Sequence, residues 1–146
     1  MSLQNLLNIG RLHAHAADRD AVQKLLASAR RNLADARATA ISNDNRFDAA
    51  YKAIMQCAMV GLWASGYRTA TSQPGHHQTA IQCLPLTMGV TQPTVIVLDA
   101  LRKQRNTNDY IGDPIADAAL KSCIEEATKL IAHTEQWLKR HHSQLA

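Results

Sequence analysis

The segment Arg46-Phe47-Asp48-Ala49-Ala50-Tyr51-Lys52-Ala53-Ile54-Met55-Gln56-Cys57-Ala58-Met59-Val60-Gly61-Leu62-Trp63-Ala64-Ser65 sets the fold of this chain. Phe47, Ala50, Tyr51, Ile54, Ala58 and Leu62 return at three- and four-residue steps, the repeat of one helix face. Met55, Met59, Val60 and Trp63 widen that face into an arc covering most of the circumference. A helix this apolar is either central in a bundle or buried in an oligomer interface. Gly66 closes it, and the stretch from there to Gly75 reads as an exposed loop.

Upstream, Asp18 is the expected N-cap of a long helix whose stripe is Val22, Leu25, Leu26, Ala29, Leu33, Ala36 and Ala40. Arg30, Arg31, Asp35 and Arg37 fall outside the stripe, and the turn formers Ser42-Asn43-Asp44-Asn45 end the helix. Residues 2–9 suggest a short helical turn stopped by Gly10. Downstream, a short third helix is expected over His76–Leu84. Pro85 and the Gly89–Pro93 stretch separate it from a fourth, about Thr94 to Gln104. Asp113-Pro114 then opens the last long helix, with Asp as N-cap and Pro in the first turn. Ile115, Ala119, Cys123, Ala127, Leu130, Thr134 and Leu138 carry its apolar face to about His141.

Composition agrees with that pattern. Hydrophobic residues are 46% of the chain but aromatics only 4%, so much of the apolar content is alanine, the best helix former. Val95-Ile96-Val97 is the one β-branched run, too little for a sheet. With no repeats, low-complexity tracts or linker, the 146 residues form one domain, 1–146, with its core at about 18–141. The expected class is all-α, a compact antiparallel four- to five-helix bundle.

Charge and cysteine content bound the function loosely. Sixteen Lys and Arg against twelve Asp and Glu leave a formal +4, which permits nucleic-acid contact without requiring it. Cys57, Cys83 and Cys123 sit in apolar helical patterns and read as buried hydrophobes in a reducing cytosol. The N-terminus lacks the basic start and apolar stretch of a signal peptide, and no segment suits a membrane helix. Neither His13 with His15 nor His141 with His142 has metal-ligand partners at a suitable spacing, so no metal and no cofactor are expected. Trp63 and Trp137 read as core or interface anchors. No Walker loop, dinucleotide loop, nucleophile elbow or metalloprotease motif occurs.

The segment Leu101-Arg102-Lys103-Gln104-Arg105-Asn106-Thr107-Asn108-Asp109-Tyr110 lies between the fourth helix and the last. By residue chemistry it is a basic helix end followed by a polar connection. Arg102, Lys103 and Arg105 can offset the helix macrodipole, and Asn106 to Asp113 can be turn chemistry. Its order also matters: a basic helix end, Arg-Asn, an acidic residue and Tyr precede a long terminal helix, and this resembles the HEPN family. Phe47-Asp48-Ala49-Ala50-Tyr51-Lys52-Ala53 is similar to the alanine-rich second helix of those proteins. Gly75-His76-His77-Gln78 is similar to the start of the short third helix in some members. The likeness spans roughly residues 20–140.

The resemblance implies a helical bundle, commonly dimeric, in toxin–antitoxin, defence or RNA-processing systems. HEPN ribonucleases place an arginine and, about four to six residues later, a histidine at a cleft between subunits, giving a proton shuttle and cationic stabilisation without metal. Arg105 carries over as the motif arginine, Asn106 as its polar neighbour and Tyr110 as the trailing tyrosine. The histidine does not carry over. Tyr110, Ile111 and Gly112 hold the candidate positions, and no histidine occurs between His77 and His133. Asp109 lies nearby, but a carboxylate with a pKa of about 4 is a poor general acid at neutral pH and repels phosphate.

Three expectations follow. The leading one is a non-catalytic or weakly catalytic component of a toxin–antitoxin or defence-type module that binds RNA or protein in the cytoplasm. Arg102, Lys103, Arg105, Arg30 and Arg37 would form its RNA-binding patch. Its partners would be a second copy of the chain, RNA, and an antitoxin-like or nucleotidyltransferase-like protein. The alternative is a metal-independent endoribonuclease using Arg105, Asn106, Asp109 and Tyr110, with an imidazole from His76 or His77. The third is a structural or oligomerisation bundle whose Arg-Asn-Tyr segment braces the last helix.

Overall fold

The computed structural model describes residues 1–146, and nearly all of its regular structure is helical. In chain order the elements are α1 (Leu3–Asn8), β1 (Leu12–Ala14), α2 (Arg19–Ala36), α3 (Asn43–Ala64), β2 (Tyr67–Thr69), α4 (His76–Gln82), α5 (Leu84–Met88), α6 (Gln92–Ile111) and α7 (Asp117–His141). A 3-10 turn at Ser143–Leu145 ends the chain. The all-α bundle expected from the sequence is what forms.

α3 is its axis. Thirteen of its 22 residues are buried, from Phe47 to Ala64, so the wide apolar arc is met within one chain. α2 covers one side with Val22, Leu26, Ala29, Leu33 and Ala36. α7 covers another with Leu120, Cys123, Ala127, Leu130, Ile131, Thr134 and Leu138. Side-chain pairings give the directions. Arg46 bonds the Ala36 carbonyl while Gln56 meets Ser28 and Asn32, so α2 and α3 are antiparallel. Arg30 with Glu135 and Arg37 with Thr128 make α2 antiparallel to α7 as well. Asn43 meets Asp117 and Cys123 reaches the Phe47 carbonyl, and α7 therefore runs parallel to α3. The short helices and α6 provide the return.

Helix ends differ from the sequence expectation for identifiable reasons. Asp18 caps α2 by accepting from the Asp20 and Ala21 N–H groups, as expected. α2 stops at Ala36, and Ala40 is exposed beyond it, because the Arg46 guanidinium takes the Ala36 carbonyl at 2.8 Å. Ser42 is not merely a stop; it caps α3 through the Asn45 N–H, which starts that helix at Asn43. Asp113-Pro114 does not open α7. Asp44 Oδ1 accepts from the Ile115 N–H at 2.8 Å, and Asn43 Nδ2 donates to the Ile115 carbonyl at 3.0 Å. Held from both sides, the chain stays extended to Ala116 and turns helical only at Asp117.

The largest difference concerns α6. It starts at Gln92 with Pro93 in its first turn, so Pro93 belongs to the helix and not to the break before it. It then runs on through Asn106 to Ile111, where a polar connection was expected. None of those polar residues breaks a helix, and Gln104 bonds Asn108 one turn later. The stop comes at Gly112, whose φ of +72° suits glycine and little else. Pro85 likewise lies in the first turn of α5.

The Gly66–Gly75 stretch is not all exposed loop. Tyr67–Thr69 pairs antiparallel with Leu12–Ala14, with Leu12 opposite Thr69 and His13 opposite Arg68. Leu12, Thr69 and Ala70 are buried. Three-residue strands are too short to show alternation in a sequence.

Gly61 sets how closely α5 approaches α3. A Cβ there would lie 3.0 Å from Thr87 Oγ1 and 3.2 Å from Met88 Cγ. Gly61→Leu should therefore lower the unfolding free energy by about 1–3 kcal/mol through overpacking, although leucine is the better helix former. Chemical denaturation reads this directly, and a stabilised Gly61→Leu variant would contradict the close α3–α5 contact.

Candidate functional site

On α3, Asp48, Lys52, Met55 and Met59 recur at three- and four-residue steps along one edge, with Tyr51 set deeper beside them. α6 brings Arg105 to that edge, α4 brings His77, and α2 adds Leu25. Together they enclose an open cleft of about 530 Å³. Its floor is apolar, formed by Leu25, Met55 and Met59, and its charged groups gather at one end.

Tyr51 is the centre of that end. Its ring is buried, its hydroxyl lies 3.2 Å from His77 Nδ1, and the Arg105 guanidinium sits 5.0 Å above its ring centroid. Arg105 Nε also lies 3.4 Å from Asp48 Oδ1. A guanidinium over an aromatic face contributes about 0.5–2 kcal/mol, more as water is excluded. Burial pushes the Tyr51 hydroxyl up to about 12, despite the opposing pull of Arg105 and Arg102. Burial also lowers the His77 pKa, and the neighbouring His76, Arg105 and Arg102 lower it further. The cleft thus holds a phenol that stays protonated, an imidazole inclined to be neutral, and a permanent cation.

The sequence-derived site residues separate into groups. Arg105 and His77 meet in the cleft, and His76 packs edge-on against His77 with ring centroids 4.7 Å apart. Asn106 is exposed outside the cleft. Asp109 borders a small hollow on another side of Arg105, shared with Asp48 and Asn108. Tyr110 is 92% exposed and touches none of these groups, because the continued helix points it outwards. Arg102 and Lys103 are tied to Asp99 at 2.8 and 3.4 Å. Arg30 pairs with Glu135 and Arg37 donates to Thr128, both on the side of α2 that faces α7. The expected arginine patch is therefore divided between two faces.

Asp48, Tyr51, Lys52, Met55, Gln56 and Met59 were not singled out as site residues. Asp48 with Lys52 and Met55 with Met59 are i,i+4 pairs along one edge of α3, a signal masked by the apolar arc that covers most of the helix. Gln56 is 9% exposed and has both polar atoms engaged, accepting from Asn32 at 2.8 Å and donating to Ser28 at 2.9 Å. Those two bonds tie the floor of the cleft to α2.

The remaining candidates offer no reactive centre. Cys57, Cys83 and Cys123 are free and buried, and burial pushes their thiols up to about 12, 11 and 12, so they stay protonated. No cluster of three or more His, Cys, Asp or Glu side chains is placed to hold a metal ion. His15 packs on Trp63, with ring centroids 5.1 Å apart. No helix is long and apolar enough to cross a membrane. Comparison with protein-family models, with curated proteins and with solved structures finds no match for the chain.

The lowered His77 pKa has a consequence for stability. Between its folded value and the unfolded value of about 6.5, the unfolded chain binds more protons, so stability falls as the pH drops through that window. His77→Gln should flatten this acid limb relative to wild type in paired denaturation series. A limb of unchanged steepness would mean that His77 titrates as it does in the unfolded chain.

Proposed function

We propose that this protein is an RNA-binding, HEPN-like component of a toxin–antitoxin or defence-type module, with the Tyr51–His77–Arg105 cleft as its RNA site. One observation carries the reading: Tyr51, His77 and Arg105, from three separate helices, converge on a cleft that joins a fixed cation to an apolar floor. That combination suits a phosphodiester group with an unpaired base beside it, since phosphate seeks cationic donors and a base face seeks apolar cover. Exposed Lys52, which also lines the cleft, supplies further positive charge. A second copy of the chain and an antitoxin-like or nucleotidyltransferase-like protein are the partners the family resemblance suggests, within the cytoplasm.

A metal-independent ribonuclease is the second reading, favoured by the placement of His77 in the same cleft as Arg105. In it, His77 supplies the imidazole that the Arg105–Tyr110 segment lacks. Cleavage of single-stranded or transfer RNA in the presence of a chelator, abolished by His77→Ala, would select this reading over binding alone.

Arg105→Ala separates RNA binding from simple bracing. Loss of a charge-assisted contact to phosphate should weaken binding of single-stranded RNA by about tenfold or more, and make the salt dependence shallower by about one unit of log–log slope. Filter binding at several salt concentrations, with a thermal melt of the same variant, measures both quantities. A lower melting temperature with unchanged RNA affinity would leave Arg105 as a brace between α6 and α3.

A further inference from the structure

We propose that Tyr51 is a positioning residue that holds His77 in its Nε2–H form, so that His77 and Arg105 together present a two-donor site for one phosphodiester group. The inference rests on the RNA-binding reading of the cleft and specifies its chemistry.

The hydroxyl and Nδ1 are 3.2 Å apart, and a neutral imidazole allows two arrangements of that contact. Either the hydroxyl donates to Nδ1, or Nδ1–H donates to the hydroxyl oxygen. Tyr51 is 2% exposed, and its hydroxyl has no other partner in the protein. The second arrangement therefore strands a buried phenol proton, whereas the first satisfies both groups. With Nδ1 accepting, the imidazole proton resides on Nε2. That nitrogen has no protein partner and is the ring atom left for a ligand.

The same tyrosine ring orients the second donor. Arg105 stacks over it, and Asp48 engages only Nε of the guanidinium. Both terminal nitrogens of Arg105 remain without a protein partner. One rigid aromatic side chain, fixed in the core on α3, thus sets the positions of donors arriving on α4 and α6. The titratable groups around His77 are His76 on its own helix, Asp48, Tyr51 and Lys52 on α3, and Arg102 and Arg105 on α6. Asp48, the carboxylate that lines the cleft, has its Oδ1 beside Arg105 Nε and makes no hydrogen bond or ion pair with His77. A neutral His77 in this form donates at Nε2 and cannot accept a proton there. The cleft is thereby built to hold phosphate, and the ring would have to release Tyr51 before acting as a general base.

Long-range proton–nitrogen correlation spectra of the whole protein at pH about 8, above the ordinary imidazole range, test the tautomer without RNA. The expected result is His77 protonated at Nε2 in the wild type, with an Nδ1–H population appearing in Tyr51→Phe. An Nδ1–H or charged His77 in the wild type, or no change in Tyr51→Phe, overturns the inference. Affinity for a short single-stranded oligoribonucleotide tests the donor. The amide nitrogen of glutamine reaches about as far as Nε2, whereas asparagine reaches only the Nδ1 position. His77→Asn should therefore weaken binding about fivefold more than His77→Gln, the worth of one hydrogen bond. Equal losses in the two variants overturn the two-donor site. A wild type that does not bind the oligonucleotide overturns the RNA reading together with the phosphate site. The wrong tautomer with intact, Arg105-dependent RNA binding overturns only the role given to Tyr51.

Discussion

The burial of α3 is the constraint on which everything else depends. A 22-residue helix with apolar side chains on nearly every side must be covered all round, and no single neighbour can do that. α2 and α7 take two sides as long antiparallel partners of each other, and α4, α5 and α6 close the rest in shorter pieces. Close approach needs small residues at the contacts, which is why the core is rich in alanine and why Gly61 lies under Thr87 and Met88. The alanine content of the sequence and the shape of the bundle are thus one fact seen at two levels.

Covering α3 also fixes where the helices start and stop. Asn43 and Asp44, in its first turn, hold Ile115 from both sides, so the entry to α7 is set by α3 and not by the local Asp113-Pro114 signal. Arg46 ends α2 in the same way, by claiming the Ala36 carbonyl. These contacts join residues 10 to 72 positions apart, and local propensity carries no trace of them. Helix existence was legible in the sequence because periodicity is a local property. Helix ends were legible only where the cap was local too, as at Asp18. The two three-residue strands were illegible for a related reason, since each is defined by its partner alone.

The residues that line the cleft are legible in the sequence only in part, and the division is the same. Arg105 stands out in the sequence through the Arg-Asn order that resembles the HEPN family, and His77 as one of two imidazoles at a helix start that could replace the missing histidine. Their meeting was not visible, since it depends on how α4 and α6 cross α3. Tyr51 belongs to the core stripe, and its ring is buried. Its hydroxyl nevertheless reaches the cleft. Binary patterning treats a tyrosine as core or surface, whereas a side chain only 2% exposed can still turn its hydroxyl to a partner that lines a cleft. The polar run Asn106–Tyr110 misled in the opposite direction: turn-forming residues continue a helix when no glycine or proline interrupts them, and Tyr110 is carried out to solvent as a result.

That placement changes what a motif reading of the segment can mean. If the Arg105–Tyr110 run were a loop, its residues could converge on one ligand; on a helix they are spread around the axis. Only residues spaced by three or four share a face, so Arg105 shares its side with Arg102 and Asn108 and not with Asn106 or Tyr110. The groups that do converge come from three helices, and their common element is the tyrosine of α3. Because that ring belongs to the core, the geometry of Arg105 and His77 is tied to the packing of the whole bundle. A loosened core would blur the cleft before it unfolded the chain, so the same burial that selects the fold also sharpens the site.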